Sequence, residues 1–381
     1  MIDLAPRPTA PRPDPEAGQQ QDVDVVVARL VTIRLLGVRP RDREAVERQF
    51  GLGVPASSEP ADITIRYRER IDLHLRVLRY LGPGTMGFTD EGLVLLSGRF
   101  RRPVRVLFPG ADLLGPCELQ CEHGVGRVPH LVALVNLALL ARGGVALHAS
   151  AFERDGSATV ATGWSKGGKT EALLAAVGAG ARFVADEWTH IRPEGTASGT
   201  KEPVRAWDWQ IAQLPWLQAA IGRADRARLD GLRMLAGAAR AGRAGPRVAT
   251  AIARNRFVDV PPEVVAVSGS VPSPVRIGSL LLMTATDRPQ IWTQPLRGRE
   301  VADRMAASLL AERAPLSEVV AAHRFAFPRA AADAYDDVPE IERERLRALL
   351  GPLPAAEVLH PYPVDLEQLG AAVELAEQGL R

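Results

Sequence analysis

The feature that most constrains the fold is a glycine-rich loop between two predicted regular elements, Gly163–Thr170. Its sequence, GWSKGGKT, matches the phosphate-binding pattern G-x-x-x-x-G-K-[ST]. The apolar run Ala158–Thr162 predicts a strand before the loop, and Thr170–Val177 predicts a helix after it. Because strand and helix are predicted independently of the loop pattern, a chance match in this Gly- and Ala-rich chain is the less favoured alternative. The loop therefore predicts an α/β fold built around a P-loop.

Further strands are predicted on both sides of this unit. Val145–Phe152 precedes it, and Asp155-Gly156 joins the two strands in a hairpin, because both turn residues tolerate positive φ. Gly178 and Gly180 are suited to ending the helix. Arg182–Ala185 is predicted as the next strand.

The loop chemistry predicts an ATP and Mg²⁺ site. Glycines allow successive backbone N–H groups to converge on phosphate oxygens, and the helix N-terminus adds partial positive charge. We expect Lys169 to bridge the β- and γ-phosphates and act in catalysis, and the Thr170 hydroxyl to ligate Mg²⁺. The residues expected to hold the nucleotide are Gly163, Ser165, Lys166, Gly167, Gly168, Lys169 and Thr170.

Lysine usage points to the same loop. Only three of the 47 basic residues are lysine, and two of these, Lys166 and Lys169, lie in the loop. A phosphate cradle needs a compact ammonium group, which the planar guanidinium of arginine does not replace. Lys166 is interpreted either as a second phosphate ligand or as a solvated loop residue.

This stretch resembles the HPr kinase/phosphorylase family of P-loop kinases, whose core is related to phosphoenolpyruvate carboxykinase; the likeness covers roughly residues 140–195 well and the rest in outline. That family has a histidine on the strand before the loop, a glutamate after the loop Ser/Thr, and an acidic pair ending the next strand. The corresponding residues here are His148, Glu171 and Asp186-Glu187. The resemblance implies that Asp186 is the general base and contacts Mg²⁺, that Glu187 assists the metal, and that His148 lies near the γ-phosphate and the acceptor.

The same residues can be interpreted without the family. Asp186 ends a strand beside the loop, where open α/β sheets bind ligands, and its carboxylate can hold Mg²⁺ or accept a proton from a hydroxyl. The alternative is a helix N-cap or a surface acid. His148 can equally be a satisfied, half-buried histidine, and Glu171 a first-turn acid that complements the helix dipole.

Two departures make the chain a divergent member of that family. Lys166 occupies a position that usually holds a small residue, and the longer downstream signature that carries phosphorylase activity has no counterpart. These differences argue against HPr as the substrate. They point to HPr-kinase-like proteins, some of which phosphorylate a serine of a peptide natural product or a free small molecule. We expect a peptide or protein Ser/Thr acceptor; a small-molecule kinase for an amino acid or sugar and a non-catalytic nucleotide-binding interaction protein are the alternatives.

Outside the loop region the chain divides into three predicted parts. Residues 1–21 are predicted to be a disordered arm, 22–125 a β-rich N-terminal domain, and 126–381 the P-loop kinase domain. The predicted elements of the N-terminal domain are a strand-like run at Val25–Val38, a helix at Arg39–Phe50, and strands at Ile63–Tyr67, Leu78–Leu81, Leu93–Leu96 and Val104–Phe108.

The kinase domain is predicted to carry an Arg-rich helical insertion at about 205–256. Nine arginines and two acids lie between Arg223 and Arg256, so the insertion is either a solvated surface or a cap that binds an acidic acceptor. Arg254 and Arg256 are the candidates for stabilising transition-state charge, and we assign Arg254 to catalysis. The remaining predicted elements are helices at Val128–Ala141, Trp207–Ile221, Glu300–Leu310, Leu316–His323, Ala331–Leu350 and Asp365–Gly379, strands at Val275–Thr284 and Ile291–Pro295, and a Pro-rich linker at 352–363.

Charge and hydropathy narrow the class of protein. The net charge of +2 is too small to indicate nucleic-acid binding. No apolar run reaches the roughly 18 residues that span a bilayer, and the N-terminal stretch lacks the apolar segment of a signal peptide. Cys117 and Cys121 are too few for a disulfide framework or a zinc site. We therefore expect a cytoplasmic enzyme with no nucleic-acid or membrane partner, and a homo-oligomer is allowed.

Overall fold

The computed structural model describes residues 22–71, 79–80, 86–89, 92–97, 104–109, 113–241, 245–266, 274–328 and 333–381. Over these ranges the chain is a mixed α/β protein with a nine-stranded, an eight-stranded and a two-stranded sheet. The predicted arm at 1–21 lies outside the described residues. Within the described part, no helix is both long and apolar enough to cross a membrane.

The nine-stranded sheet is formed by the N-terminal part of the chain. Its strands are β1 (Val23–Val27), β2 (Val31–Leu36), β3 (Val54–Pro55), β4 (Ile63–Arg68), β5 (Arg79–Tyr80), β6 (Met86–Phe88), β7 (Gly92–Ser97), β8 (Val104–Pro109) and β9 (Cys117–Glu122). They lie in the order β3-β1-β2-β4-β9-β8-β7-β6-β5, and helix α1 (Pro40–Phe50) follows β2. The β2–β4 and β4–β9 pairs are parallel, so the sheet is not a simple meander.

The predicted single run Val25–Val38 is wrong, because it forms the two strands of a hairpin. Ala28 and Arg29 both have positive φ, 53° and 54°, and the N–H of Leu30 donates to the carbonyl of Val27 at 3.0 Å. Such a turn matches the twist of the strands, but Gly, Asn or Asp usually provides it, so the sequence carries no signal for it. The predictions for α1, β4, β7 and β8 are confirmed, whereas the ends of Leu78–Leu81 lie outside the described residues.

The second sheet contains the predicted P-loop unit. The remaining strands are β10 (Val145–Arg154), β11 (Ser157–Thr162), β12 (Arg182–Ala185), β13 (Trp188–Ile191), β14 (Thr196–Gly199), β15 (Val204–Trp207), β16 (Phe257–Val260), β17 (Val275–Thr286), β18 (Trp292–Arg297) and β19 (Pro354–Pro361). The eight-stranded sheet runs β11-β10-β13-β14-β17-β19-β18, with β12 on β10, while β15 and β16 form the two-stranded sheet. Strand β11 also pairs with β17, which closes β10, β13, β14, β17 and β11 into a ring. Because β11, β17 and β19 are parallel, their carboxyl ends lie side by side.

Helices cover both sheets. They are α2 (Leu131–Ala141), α3 (Lys169–Gly178), α4 (Asp208–Gln213), α5 (Pro215–Ala220), α6 (Arg223–Ala241), α7 (Gly245–Ala253), α8 (Pro262–Val265), α9 (Gly298–Ala326), α10 (Val338–Leu350) and α11 (Leu366–Leu380), with a short 3-10 helix at Asp333–Tyr335. Helix α2 shares an apolar cluster with the first sheet and also contacts β10, so it packs on more than the kinase sheet predicted for it. Helices α3 and α11 pack together and share a second apolar cluster with strands of the eight-stranded sheet.

Three predictions for the second half of the chain are wrong. The segment 352–363 is not a linker, because β19 lies between β17 and β18. The predicted helices Glu300–Leu310 and Leu316–His323 belong to the single helix α9, which contains Pro315. The predicted helix Trp207–Ile221 is interrupted: Trp207 ends β15, and the short α4 and α5 follow.

Candidate functional site

The glycine-rich loop lies at the carboxyl ends of the parallel strands β11, β17 and β19. Two of its glycines have backbone conformations that other residues rarely adopt: φ is +150° at Gly163 and +104° at Gly168. A Cβ on Gly163 would lie 2.4 Å from the carbonyl oxygen of Met283 in β17, and one on Gly168 would lie 2.1 Å from His360 Nε2 in β19. Both glycines are therefore required by the approach of the loop to the sheet.

Lys169 lies inside the loop. Its ammonium donates to the carbonyls of Trp164 at 2.9 Å and Gly163 at 3.3 Å, and the residue is 7% exposed. Burial lowers the pKa of Lys169, and the carboxylates of Glu187 and Asp186 oppose that effect. The Oγ of Ser150 donates to the Lys169 carbonyl at 2.7 Å and so attaches the first turn of α3 to β10.

Thr170 and Asp186 meet beside Lys169, as the sequence predicted. The Thr170 hydroxyl lies 3.1 Å and 3.3 Å from the two carboxylate oxygens of Asp186, which is 4% exposed. Burial and, secondarily, the charge of Glu187 raise the pKa of Asp186 to about 7. A carboxyl group with that pKa can accept a proton near neutral pH, which is the requirement for a general base.

The same oxygens fit a magnesium ion. Hydroxyl and carboxylate oxygens are ligands that Mg²⁺ prefers, and it is commonly held by one or two carboxylates together with substrate phosphates. Among the described residues, no group of three or more His, Cys, Asp or Glu side chains is arranged to hold a metal ion without help. A site made of Thr170, Asp186 and Glu187 thus depends on phosphate oxygens to complete it.

His148 joins two carboxylates. Its Nε2 lies 3.2 Å from Glu187 Oε2, its Nδ1 lies 2.6 Å from Glu312 Oε1, and its ring stacks on Trp188 at 5.7 Å between centroids. Burial lowers the pKa of His148, but the hydrogen bonds with Glu187 and Glu312 outweigh it and raise that pKa to about 9. The imidazolium in turn lowers the pKa of both glutamates. Sequence reasoning missed Glu312, which lies on α9 between the two helices predicted there.

Three other residues of the loop region occupy different surroundings. Ser165 and Lys166 are exposed at the tip of the loop, and Lys166 has a φ of +63°. Glu171 is 7% exposed and accepts a hydrogen bond from Gln210 Nε2 at 3.0 Å. Burial raises the pKa of Glu171. Glu171 therefore connects α3 to α4, whereas the role of Lys166 stays a prediction.

Arg254 is not brought to the loop by any direct interaction. It is exposed after α7, and no hydrogen bond or ion pair joins its side chain to a loop residue in the described part of the chain. Arg256 pairs with Asp208, which Arg233 also contacts. Arg205 on β15 is exposed and pairs with Asp259 at 3.0 Å. The insertion residue Arg243 lies outside the described residues.

His360 is a second residue that the sequence did not single out. It is the second-to-last residue of β19, is fully buried, and places Nε2 2.8 Å from the carbonyl oxygen of Gly167. That contact fixes the orientation of the Gly167–Gly168 peptide in the loop. The only sequence signal was a histidine at the end of an apolar segment flanked by prolines.

Comparison with known proteins finds no protein-family model that matches this chain and no curated protein that matches it.

Proposed function

We propose that this protein is an ATP-dependent kinase that transfers the γ-phosphoryl group of ATP to a hydroxyl, with a P-loop core of the HPr kinase/phosphoenolpyruvate carboxykinase type and a helical insertion. The observation that carries the proposal is the arrangement of Lys169 within the glycine loop beside the Thr170–Asp186 pair. A buried ammonium, a loop with backbone N–H groups and a carboxylate with a raised pKa are the groups that phosphoryl transfer uses.

The residues of the candidate site divide into those that bind the nucleotide and its metal ion and one that accepts a proton. The loop N–H groups and Lys169 bind the phosphates, since both present positive charge at the start of α3. Mg²⁺ held by Thr170, Asp186 and Glu187 would neutralise phosphate charge when bound. Asp186 accepts the proton of the acceptor hydroxyl, which its pKa of about 7 allows. His148, charged between Glu187 and Glu312, supplies a fixed positive charge next to them.

The acceptor is inferred from the surface charge of the insertion and from a cavity near His148. A serine or threonine of a peptide or protein remains the proposed acceptor, and the arginines of α6 and α7 suit an acidic peptide. A small-molecule acceptor is the second candidate, because a compact cavity is lined by Glu312 and Trp188, which both contact His148. Both candidates are distinguished from a non-catalytic nucleotide switch by phosphate transfer.

The first test separates nucleotide binding from transfer. Lys169→Ala is expected to weaken ATP·Mg²⁺ binding at least tenfold by calorimetry, whereas Asp186→Asn retains binding and loses about 100-fold or more of transfer. Transfer is measured by mass spectrometry on serine- and threonine-containing peptides and on hydroxylated metabolites. Lys201→Ala is the matched control, because Lys201 is half exposed and pairs with Glu263 at 2.6 Å. Full transfer by Lys169→Ala contradicts the proposal.

A further inference from the structure

A cavity of about 290 Å³ lies between α2, α9 and the beginning of β10. Most of its wall is apolar, and the main contributing side chains are Leu131, Leu137, Ala146, Trp188, Leu309 and Leu316. Small-ligand pockets have volumes of about 300–1,000 Å³ and combine apolar walls with a few polar groups. The cavity is therefore at the lower end of the size range for a ligand site.

The cavity adjoins the candidate catalytic cluster. Glu312 and Trp188 belong to its wall, and these two side chains also hold His148, one by a 2.6 Å hydrogen bond and the other by ring stacking. The charge of Glu312 also acts on Lys169 in the glycine loop. A molecule in the cavity thus contacts Glu312 and Trp188, the two side chains that hold His148.

Charged side chains at the cavity take part in ion pairs, but Nη2 of Arg313 is buried without a hydrogen-bond partner among the described residues. Arg313 contacts Glu342 at 2.5 Å, Arg127 contacts Glu202 at 2.7 Å, and Glu312 contacts His148. Since the charge of each of these side chains is balanced by its partner, an uncharged molecule is favoured, and Nη2 of Arg313 can donate a hydrogen bond to it. Asn136 Oδ1 is buried in this wall without a hydrogen-bond partner among the described residues, and it can accept a bond from the occupant.

We propose that this cavity binds the apolar body of the phosphoryl acceptor, which is a compact, uncharged alcohol. The inference rests on the proposed kinase function with a small-molecule acceptor, the second candidate, and identifies the chemical class of that acceptor. One water molecule, which has one non-hydrogen atom, occupies about 30 Å³ in the liquid. A cavity of 290 Å³ therefore has room for roughly ten non-hydrogen atoms. That volume accepts a single hydroxylated ring or branched chain, and it is too small for a peptide segment.

The transfer step needs only ATP, the acceptor alcohol and the carboxylate of Asp186. The acceptor oxygen forms a bond to the γ-phosphorus while the bond from that phosphorus to the β,γ-bridging oxygen breaks. The hydroxyl proton passes to the carboxylate of Asp186, and ADP leaves with the electron pair of the broken bond. The cavity contributes by holding the alcohol in position for this in-line attack.

The test uses the full chain and four defined alcohols: 2-phenylethanol, cyclohexanol, glycerol and L-serine. Binding is measured by saturation-transfer NMR and phosphorylation by mass spectrometry with ATP·Mg²⁺. Ala133 lines the cavity on α2, so Ala133→Phe places a ring in it, whereas Ala141→Phe adds the same ring at an exposed position of the same helix. Calorimetry with ATP·Mg²⁺ on each variant tests the kinase proposal separately.

The expected result is that 2-phenylethanol and cyclohexanol bind and are phosphorylated by the native protein and by Ala141→Phe. Ala133→Phe should lower both at least tenfold while its affinity for ATP·Mg²⁺ is unchanged. The inference is overturned if the two variants bind these two alcohols equally well, or if the native protein binds neither of them. Phosphorylation of only glycerol, L-serine or a peptide overturns the assigned substrate class but leaves the kinase proposal standing. Absence of ATP binding defeats the kinase proposal itself.

Discussion

Gly168 is a residue at which the loop should be sensitive to a single added methyl group. Gly168→Ala adds a Cβ 2.1 Å from His360 Nε2, at a φ of +104° that alanine rarely adopts. We expect the loop to move and ATP·Mg²⁺ affinity to fall at least 100-fold by calorimetry. Gly237→Ala is the control, because nothing lies within 4 Å of its added Cβ in α6 and alanine favours a helix. Equal affinity in both variants would show that the loop does not bind the phosphates.

Glu312 positions His148, and its substitution should affect the reaction more than nucleotide binding. Glu312→Gln removes the negative charge 2.6 Å from His148 Nδ1 while retaining the size of the side chain. A hydrogen bond to a charged group is worth about 1.5–3 kcal/mol, so we expect kcat to fall by about 10–100-fold with ATP affinity unchanged. Glu318→Gln, at an exposed position of α9, is the matched control. An unchanged kcat would assign Glu312 to structure alone.

At the scale of elements, the strand–loop–helix unit around the glycine-rich loop was predictable because its signals are local. The strand before the loop, the helix after it and the Asp155-Gly156 turn each follow from residues within a few positions, and the structure has all three. The hairpin of β1 and β2 was missed because Ala28 and Arg29 carry no turn signal. Local patterns predict only those turns for which the residue type itself favours the conformation.

Strand β19 and helix α9 were both mispredicted, and prolines lie in each of the two segments. In β19 the prolines occupy the two ends, Pro354 and Pro361, where a strand tolerates them, and the interior has none. In α9, Pro315 lies inside the helix and leaves the carbonyl of Ala311 without its usual donor. Both errors concealed residues of the candidate site, because His360 is the second-to-last residue of β19 and Glu312 lies one turn before Pro315.

Strand β19 also supplies the polar contact that holds three elements together. Glu357, 5% exposed, accepts hydrogen bonds from Thr284 of β17 at 2.8 Å, Gln294 of β18 at 2.6 Å and Arg304 of α9 at 3.0 Å. Glu357→Ala leaves these donors without their acceptor, so we expect unfolding free energy to fall by about 3 kcal/mol in urea titrations. Glu344→Ala, exposed on α10, should change it by less than about 0.5 kcal/mol. Equal effects of the two substitutions would contradict this assignment.

At the scale of the whole molecule, the site could be predicted only in part because its members are distant in the chain. His148 and Glu312 are 164 positions apart, and Gly167 and His360 are 193 positions apart. Loop residues, Asp186 and Glu187 were found from motif and resemblance, since they lie on neighbouring elements. Glu312 and His360 join them through sheet closure and helix packing, which no local pattern encodes. Arg254 was assigned to catalysis from its residue type alone, and in the structure it is exposed without a direct interaction with the loop.

The acid stability of the molecule should depend on His190, a buried residue in the ring of strands. Its Nδ1 has no hydrogen-bond partner among the described residues, and burial lowers the pKa of His190 from 6.5 to about 4. Between these values the unfolded chain binds the proton and the native protein does not. Stability is therefore lost as pH falls from 6.5 towards 4, by on the order of 3 kcal/mol in total.

Two site residues act on stability in the opposite direction, so the measurement must isolate His190. The pKa values of Asp186 and His148 are raised to about 7 and about 9, and each therefore stabilises the protein at low pH and loses that contribution as pH rises. Comparing native protein with His190→Gln in urea titrations at pH 7.5, 6 and 5 cancels both effects. We expect the stability difference between the two proteins to shift in favour of the variant by about 2 kcal/mol from pH 7.5 to pH 5. A difference that is constant with pH would mean that His190 accepts a proton without cost in the native sheet.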